Sequence, residues 1–263
     1  MSEKCHPELA KGLYVKILRK LRMTISGGRT GLLKKETLMI EKIYTIPVNE
    51  AFDLYSGCPV CALYKKLEDN ELDSILGAAM MEPDIRIETN KKGFCGRHFD
   101  MMFNMKNRLG LALIIETHLS HNIVKSLKGG LFSPAPKNKK IEKQNGSCYV
   151  CGKIEFHLTK MLENAALLYE REKEFRDKLL NQPYFCMSHY SSLLYVGEYA
   201  LPKKAYSDFA GDCKKVMAKY SEKLLADVSW FVKKFDYNYE NEPWGDSKDA
   251  VERAIRFLSG YKR

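Results

Sequence analysis

The chain contains no long hydrophobic run. Its richest stretch, Leu109 to Ile115, falls well short of the ~18 to 20 apolar residues that a membrane-spanning helix needs, and it leads into Glu116 and His118. The basic N-terminus carries Lys11, Lys16, Arg19, Lys20 and Arg22 but no apolar signal core with a small-residue cleavage site, so a secretory leader is not expected. The sequence also lacks HExxH, the commonest mark of a catalytic zinc carried on a helix. Disorder is excluded as well. Hydrophobic residues make up 45% of the 263 and charged residues 29%, which leaves enough apolar side chain for a real core. These features describe a soluble protein of one large or two smaller domains, expected in the cytoplasm.

What is present is cysteine in a pattern. Cys58-Pro-Val-Cys61 is followed by Phe94-Cys95-Gly-Arg-His98-Phe99, and Cys148-Tyr-Val-Cys151 by Phe185-Cys186-Met-Ser-His189-Tyr190. Each copy is CxxC, a gap, then CxxH between aromatic residues. In a reducing compartment such cysteines point to metal or redox chemistry rather than to disulfides. Three thiolates and one imidazole suit tetrahedral Zn²⁺, and four protein ligands leave no open coordination position, which marks a structural site. The expectation is two zinc ions per chain. Cys58, Cys61, Cys95 and His98 would hold one, and Cys148, Cys151, Cys186 and His189 the other. An iron–sulfur cluster is the chemical rival. Phe94, Phe99, Phe185 and Tyr190 are expected to shield the sulfurs and pack the modules rather than to stack on bases.

The net charge is +10, but its distribution matters more than its size. Residues 1–38 hold nine Lys/Arg and three Asp/Glu, whereas the rest of the chain is close to balanced. A nucleic-acid role would therefore rest on the N-terminal arm and is weakly supported. A protein partner is the expected one. Met39 begins a segment of different character, which suggests that translation starts there and that 1–38 is an upstream over-read.

Hydrophobic periodicity predicts an all-α fold with a short extended lead-in at Ile43 to Val48. Helices are expected over 62–81 and from Cys95 to about Leu127, ended by Gly129-Gly130, with an extended return at Asp84 to Asn90. The Pro/Lys/Asn/Gly-rich residues 132–147 read as a linker between a first module, 39–131, and a second, 148–263. In the second module helices are expected over 154–168 and 172–180, then a long one over Tyr206 to Phe235. One helix through 152–181 would span roughly 45 Å, too far for four residues to undo, so a break near Tyr169 to Arg171 is required. A last helix, Lys248 to Leu258, would be capped by Asp246 or Ser247 and ended by Gly260.

Three functional readings follow. The first is a non-enzymatic zinc-stabilised helical protein that acts by binding. The second is a redox-responsive zinc switch. The third is a metal-dependent enzyme using Glu116, His118 and His121, the two histidines being three apart on one helix. His157, Cys213 and Trp244 read as structural: a boundary residue, a small buried side chain, and an anchor for the last helix.

From Met39 onward the chain resembles an uncharacterised bacterial family, a domain of unknown function. The resemblance is carried by Ile43-Tyr-Thr-Ile-Pro47, Cys58-Pro-Val-Cys61, Glu88-Thr-Asn-Lys-Lys-Gly-Phe-Cys95, Asn107-Arg-Leu-Gly-Leu-Ala112, Phe185-Cys186 with His189, and Pro243-Trp-Gly-Asp-Ser-Lys-Asp-Ala250. It implies an all-helical cytoplasmic protein with the duplicated motif and implies no activity. Gln182-Pro-Tyr-Phe185 departs from the first copy, where Gly93 precedes Phe94.

Overall fold

A computed structural model describes residues 39–124 and 146–260. The basic arm and all but the end of the expected linker lie outside them. Among the described residues there is no strand, and the fold is all-α. The helices are α1 (Lys42–Phe52), α2 (Pro59–Leu76), α3 (Pro83–Lys92), α4 (Gly96–Asn104), α5 (Arg108–His118), α6 (Tyr149–Arg171), α7 (Lys173–Leu180), α8 (Met187–Ala200), α9 (Lys203–Lys233) and α10 (Ala250–Ser259).

The expected extended lead-in is instead α1. Tyr44, Val48, Ala51 and Phe52 are buried along one side of it, so the 3.6-residue period outweighs the β-branched run and even Pro47 within the helix. The expected extended return at 84–90 is also helical. Pro83 does not stop a helix but starts α3, where its missing N–H has no cost. The long helix expected from Cys95 is two helices. It breaks at Lys106, which has φ +65°, and restarts where the Asn107 side chain accepts a hydrogen bond from Gly110 N–H at 3.0 Å. The break in the second half falls at Glu172, in extended conformation between α6 and α7.

The described chain divides into two compact units. One holds 68–124 and 146–156; the other joins 39–67 to 157–260. The boundary falls within α2 and within α6. In the first unit Leu72, Ile75 and Leu76 of α2, Met102 of α4, Leu111 and Ile114 of α5, and Ile154 of α6 are buried. Asn107 Nδ2 donates to the Leu76 carbonyl at 2.7 Å, tying the α4–α5 break to the end of α2.

The second unit has the larger aromatic core. Phe52 packs on Phe175 and Phe185, with ring centroids 4.9 and 6.4 Å apart. Tyr169 packs edge-on against Phe209 and donates its hydroxyl to Asp212 at 2.7 Å. Cys213 is fully buried beside them, and burial pushes its thiol up to about 12, as suits an inert packing residue. Each large side chain buried in this way contributes about 1.5–3 kcal/mol.

Candidate metal centres

Each cysteine-rich turn sits at the start of a helix. Cys58 precedes α2, Cys95 precedes α4, Cys148 precedes α6 and Cys186 precedes α8. Cys95 and Cys186 occupy the cap position with extended backbone, while the histidine three residues on lies in the first helical turn. The Cys58 carbonyl accepts from the N–H groups of Cys61 and Ala62, at 3.0 and 3.3 Å, which bends the chain so that both thiols face one side. Four helix N-termini thus present eight soft ligands, and their positive ends favour thiolate.

All eight residues gather into two groups of four, within each of which the ligand atoms lie within 4.8 Å of one another. The halves combine differently from the sequence order. Cys58 and Cys61 meet Cys186 and His189, and Cys95 and His98 meet Cys148 and Cys151. Each centre still has one CxxC and one CxxH, but every CxxC takes the CxxH of the other copy. The second pairing lies inside the first along the chain, and we call them the inner (95, 98, 148, 151) and outer (58, 61, 186, 189) centres in that sense.

Helix lengths bear on the exchange. The eighteen residues of α2 rise about 27 Å from the Cys58–Cys61 turn. An extended return could cancel that, but the ten residues of α3 span only about 15 Å because they too are helical. In the second half the break at Glu172 does exist, yet the twenty-three residues of α6 rise about 35 Å against about 12 Å for the eight of α7. The structure places neither CxxH at its own CxxC.

At the outer centre His189 Nδ1 lies 3.3 Å from Cys61 Sγ, 3.2 Å from Cys186 Sγ and 3.7 Å from Cys58 Sγ; Cys61 and Cys186 sulfurs are 3.7 Å apart. At the inner centre His98 Nδ1 lies 3.2, 3.3 and 3.5 Å from the sulfurs of Cys95, Cys148 and Cys151. A tetrahedron built on Zn–S and Zn–N bonds of about 2.3 and 2.0–2.1 Å has S···S and S···N edges of about 3.8 and 3.6 Å. The donor sets therefore fit a small tetrahedral cation, with Nδ1 as the ligand atom of both histidines.

The electrostatics agree. Burial opposes a charged His98, but the Cys148 and Cys95 sulfurs and the Glu68 carboxylate outweigh it and push the ring up to about 11. For His189 burial again opposes the charge, and Cys186 and Cys61 raise it to about 9. Cys186, hydrogen-bonded to Cys58 and Cys61, is held far below the ordinary thiol range, while burial drives Cys58 well above it. Each group of four thus favours positive charge among its sulfurs, which a divalent cation supplies without protons.

The supports of the two centres differ. At the inner one the CxxH and CxxC arms are laced together: Tyr149 N–H donates to the Gly93 carbonyl at 2.9 Å, and Ser147 Oγ to the Lys92 carbonyl at 2.7 Å. Gly93 has φ +62° and lies under the His118 ring, a position no larger residue fills without strain. His98 Nε2 meets Glu68 Oε1 at 3.1 Å, and Arg97 binds the other Glu68 oxygen at 2.6 Å. Glu68 is fully buried. It was not among the residues anticipated from sequence; its only signal there is an acid on the side of α2 that carries the buried Leu72 and Ile75.

At the outer centre Gln182 Nε2 donates to the Phe52 carbonyl at 2.6 Å. Tyr184, in place of a glycine, stacks on Tyr220 with centroids 4.3 Å apart. Gly260 (φ +81°) covers the sulfurs: a Cβ there would lie 3.0 Å from Cys186 Sγ. A cavity of about 380 Å³ opens beside this centre, and Cys58 and Cys61 are in its wall.

The remaining candidates do not assemble. Among the described residues, Glu116, His118 and His121 belong to no group able to hold a metal. His118 Nδ1 lies 3.1 Å from the Asn90 carbonyl, and His121 Nδ1 lies 3.0 Å from the Thr117 carbonyl. His157 Nδ1 is 2.9 Å from the Tyr44 hydroxyl. Trp244 packs against Phe231 and under Lys234, and the cap expected from Asp246 or Ser247 falls instead at Asp249, whose carboxylate binds Arg253. No helix among the described residues is long and apolar enough to cross a membrane.

No curated protein and no solved structure matches the chain. A family model does match residues 39–263, the whole of the segment that carries both centres, and the chain belongs to that family of unknown function, DUF6062.

Proposed function

We propose that this protein is a zinc-stabilised helical scaffold that acts by binding another protein. Two Zn²⁺ ions, each held by three thiolates and one imidazole, fix the starts of four helices. The observation that carries this reading is the gathering of all eight motif residues into two four-ligand groups with tetrahedral spacing. Four protein ligands close each site, so the metal's role is to hold structure rather than to activate water. Structural zinc of this type contributes on the order of 10–16 kcal/mol of apparent binding free energy near neutral pH.

A protein partner is favoured by the outer face of α10. Val251, Ile255 and Leu258 recur there at i, i+4, i+7 and are exposed, while Ala250 and Phe257 face inward. Native mass spectrometry of the purified chain tests the metal. Two zincs are expected, one lost from a Cys148→Ser chain and one from a Cys186→Ser chain. Zero metal in the unaltered protein overturns the reading.

A redox-responsive zinc switch is the second reading. It is favoured by Cys61 and Cys186, whose sulfurs lie 3.7 Å apart and could close into a disulfide as metal leaves. Zinc retained after peroxide treatment overturns it.

A further inference from the structure

The two centres share a ligand set but not their surroundings, and the differences point one way. We propose that the inner centre is the permanently loaded one, with Glu68 as its positioning residue. The outer centre exchanges its metal with small anionic chelators that enter the cavity beside Cys58 and Cys61. This deepens the zinc reading above and rests on it.

The first observation is Glu68. Its carboxylate is removed from solvent, and both oxygens are used, one on His98 Nε2 and one on Arg97. A carboxylate on the far nitrogen of a ligand histidine fixes the tautomer, so that Nδ1 faces the metal. It also orients the ring and makes the ligand more basic; losing such a partner weakens metal binding roughly 10–100-fold. At the outer centre no carboxylate bonds His189 among the described residues; the ring's neighbour is Tyr64, with centroids 6.5 Å apart. The His189 ring therefore lacks the anchor that His98 has.

The second observation is the cavity. At about 380 Å³ it is large enough for a molecule of a dozen or more heavy atoms, and it borders two of the outer centre's three thiols. Its wall also carries Arg256, a cation that draws an anion toward a centre that would bear a net negative charge with zinc bound. A chelator carrying carboxylates or a thiol can bind from this side as Cys61 leaves. With zinc bound, the incoming donor would replace the Cys61 thiolate, one bond for one bond. Any proton lost by an incoming thiol passes to the Cys61 sulfur. The exchange would change no oxidation state, so no oxidant is needed.

The test uses the intact two-zinc protein with EDTA as the anionic chelator. Metal release is followed in time, and each time point is quenched with N-ethylmaleimide and mapped by peptide mass. Release in two phases is expected, at least 10-fold apart. Cys58, Cys61 and Cys186 should be alkylated in the fast phase, and Cys95, Cys148 and Cys151 in the slow one. Glu68→Ala should accelerate the slow phase about 10–100-fold and leave the fast one unchanged. Glu68→Gln, which keeps an acceptor oxygen for His98, should fall between. Arg256→Glu should slow the fast phase with EDTA but not with neutral phenanthroline.

Release of both metals in one phase, or labelling in the reverse order, overturns the proposal, and the unaltered protein alone decides that even if the Glu68 variants do not fold. An Arg256→Glu chain that releases metal to EDTA at the original rate overturns the cavity route. A protein that carries no zinc at all sinks the underlying metal reading instead, so the two failures are distinguishable.

Discussion

Lys234 shows what a single side chain does for the second unit. It is buried at the end of α9, where its ammonium donates to three backbone carbonyls, of Tyr239, Glu240 and Glu242, at 2.5, 2.7 and 2.7 Å. The Trp244 ring lies over the same ammonium, 5.4 Å from its centroid. One lysine thereby satisfies carbonyls of the irregular chain between α9 and α10. Substitution Lys234→Met keeps most of the apolar stem but strands those acceptors, at a cost of about 1–3 kcal/mol for each one left buried and unpaired. Chemical denaturation should show a loss of at least about 2 kcal/mol with the metal content unchanged. Gly260→Ala couples stability to metal instead. Its φ of +81° disfavours any side chain, and the added methyl would press on Cys186 Sγ. Loss of about 1–3 kcal/mol and faster zinc release from the outer centre are expected, read by the same denaturation and by a zinc dye.

At the scale of elements, the all-helical class and the eight residues that gather into two groups were legible in the sequence, and which of them gather together was not. The expected return rested on an extended 84–90, whereas Pro83 takes the first position of a helix there, which shortens the reach of that segment. Periodicity does not decide between these, because α3 has almost no apolar face, and what buries Thr89 and Asn90 is tertiary contact. The break between α4 and α5 was legible in principle, since Asn107 followed by an apolar run is an N-cap signal. Pro47 is the opposite case: α1 forms despite it, held by its buried face. Proline in a helix interior removes a hydrogen bond, here to the Ile43 carbonyl, and costs about 3 kcal/mol. Pro47→Ala should therefore stabilise the protein, by about 1–3 kcal/mol, and raise its melting temperature. A lower melting temperature would show that the ring's own packing matters more than the lost bond.

For the whole molecule the nested pairing sets an order of assembly. The inner centre joins residues 50 apart in sequence, His98 and Cys148, whereas the outer centre joins Cys61 and Cys186, 125 apart. Loop closure costs about (3/2)RT ln n, so the longer link is the harder one to form from the unfolded chain, by about 0.8 kcal/mol. Closing the inner centre first removes its loop from the outer one and recovers about 0.5 kcal/mol of that. The inner centre also belongs to the unit of 68–124 and 146–156, while the outer one joins segments farther apart in sequence, 39–67 and 157–260. Local contacts form faster than distant ones. When the unfolded, metal-free chain is diluted into zinc, Cys95, Cys148 and Cys151 should be protected from alkylation before Cys58, Cys61 and Cys186. Acid should undo both, because zinc binds thiolate and neutral imidazole and competes with protons for them. Lowering the pH must therefore release metal, and raising it must tighten binding. Simultaneous protection of all six thiols during refolding would mean that the centres form in one step, and that the nesting of one loop within the other has no kinetic consequence.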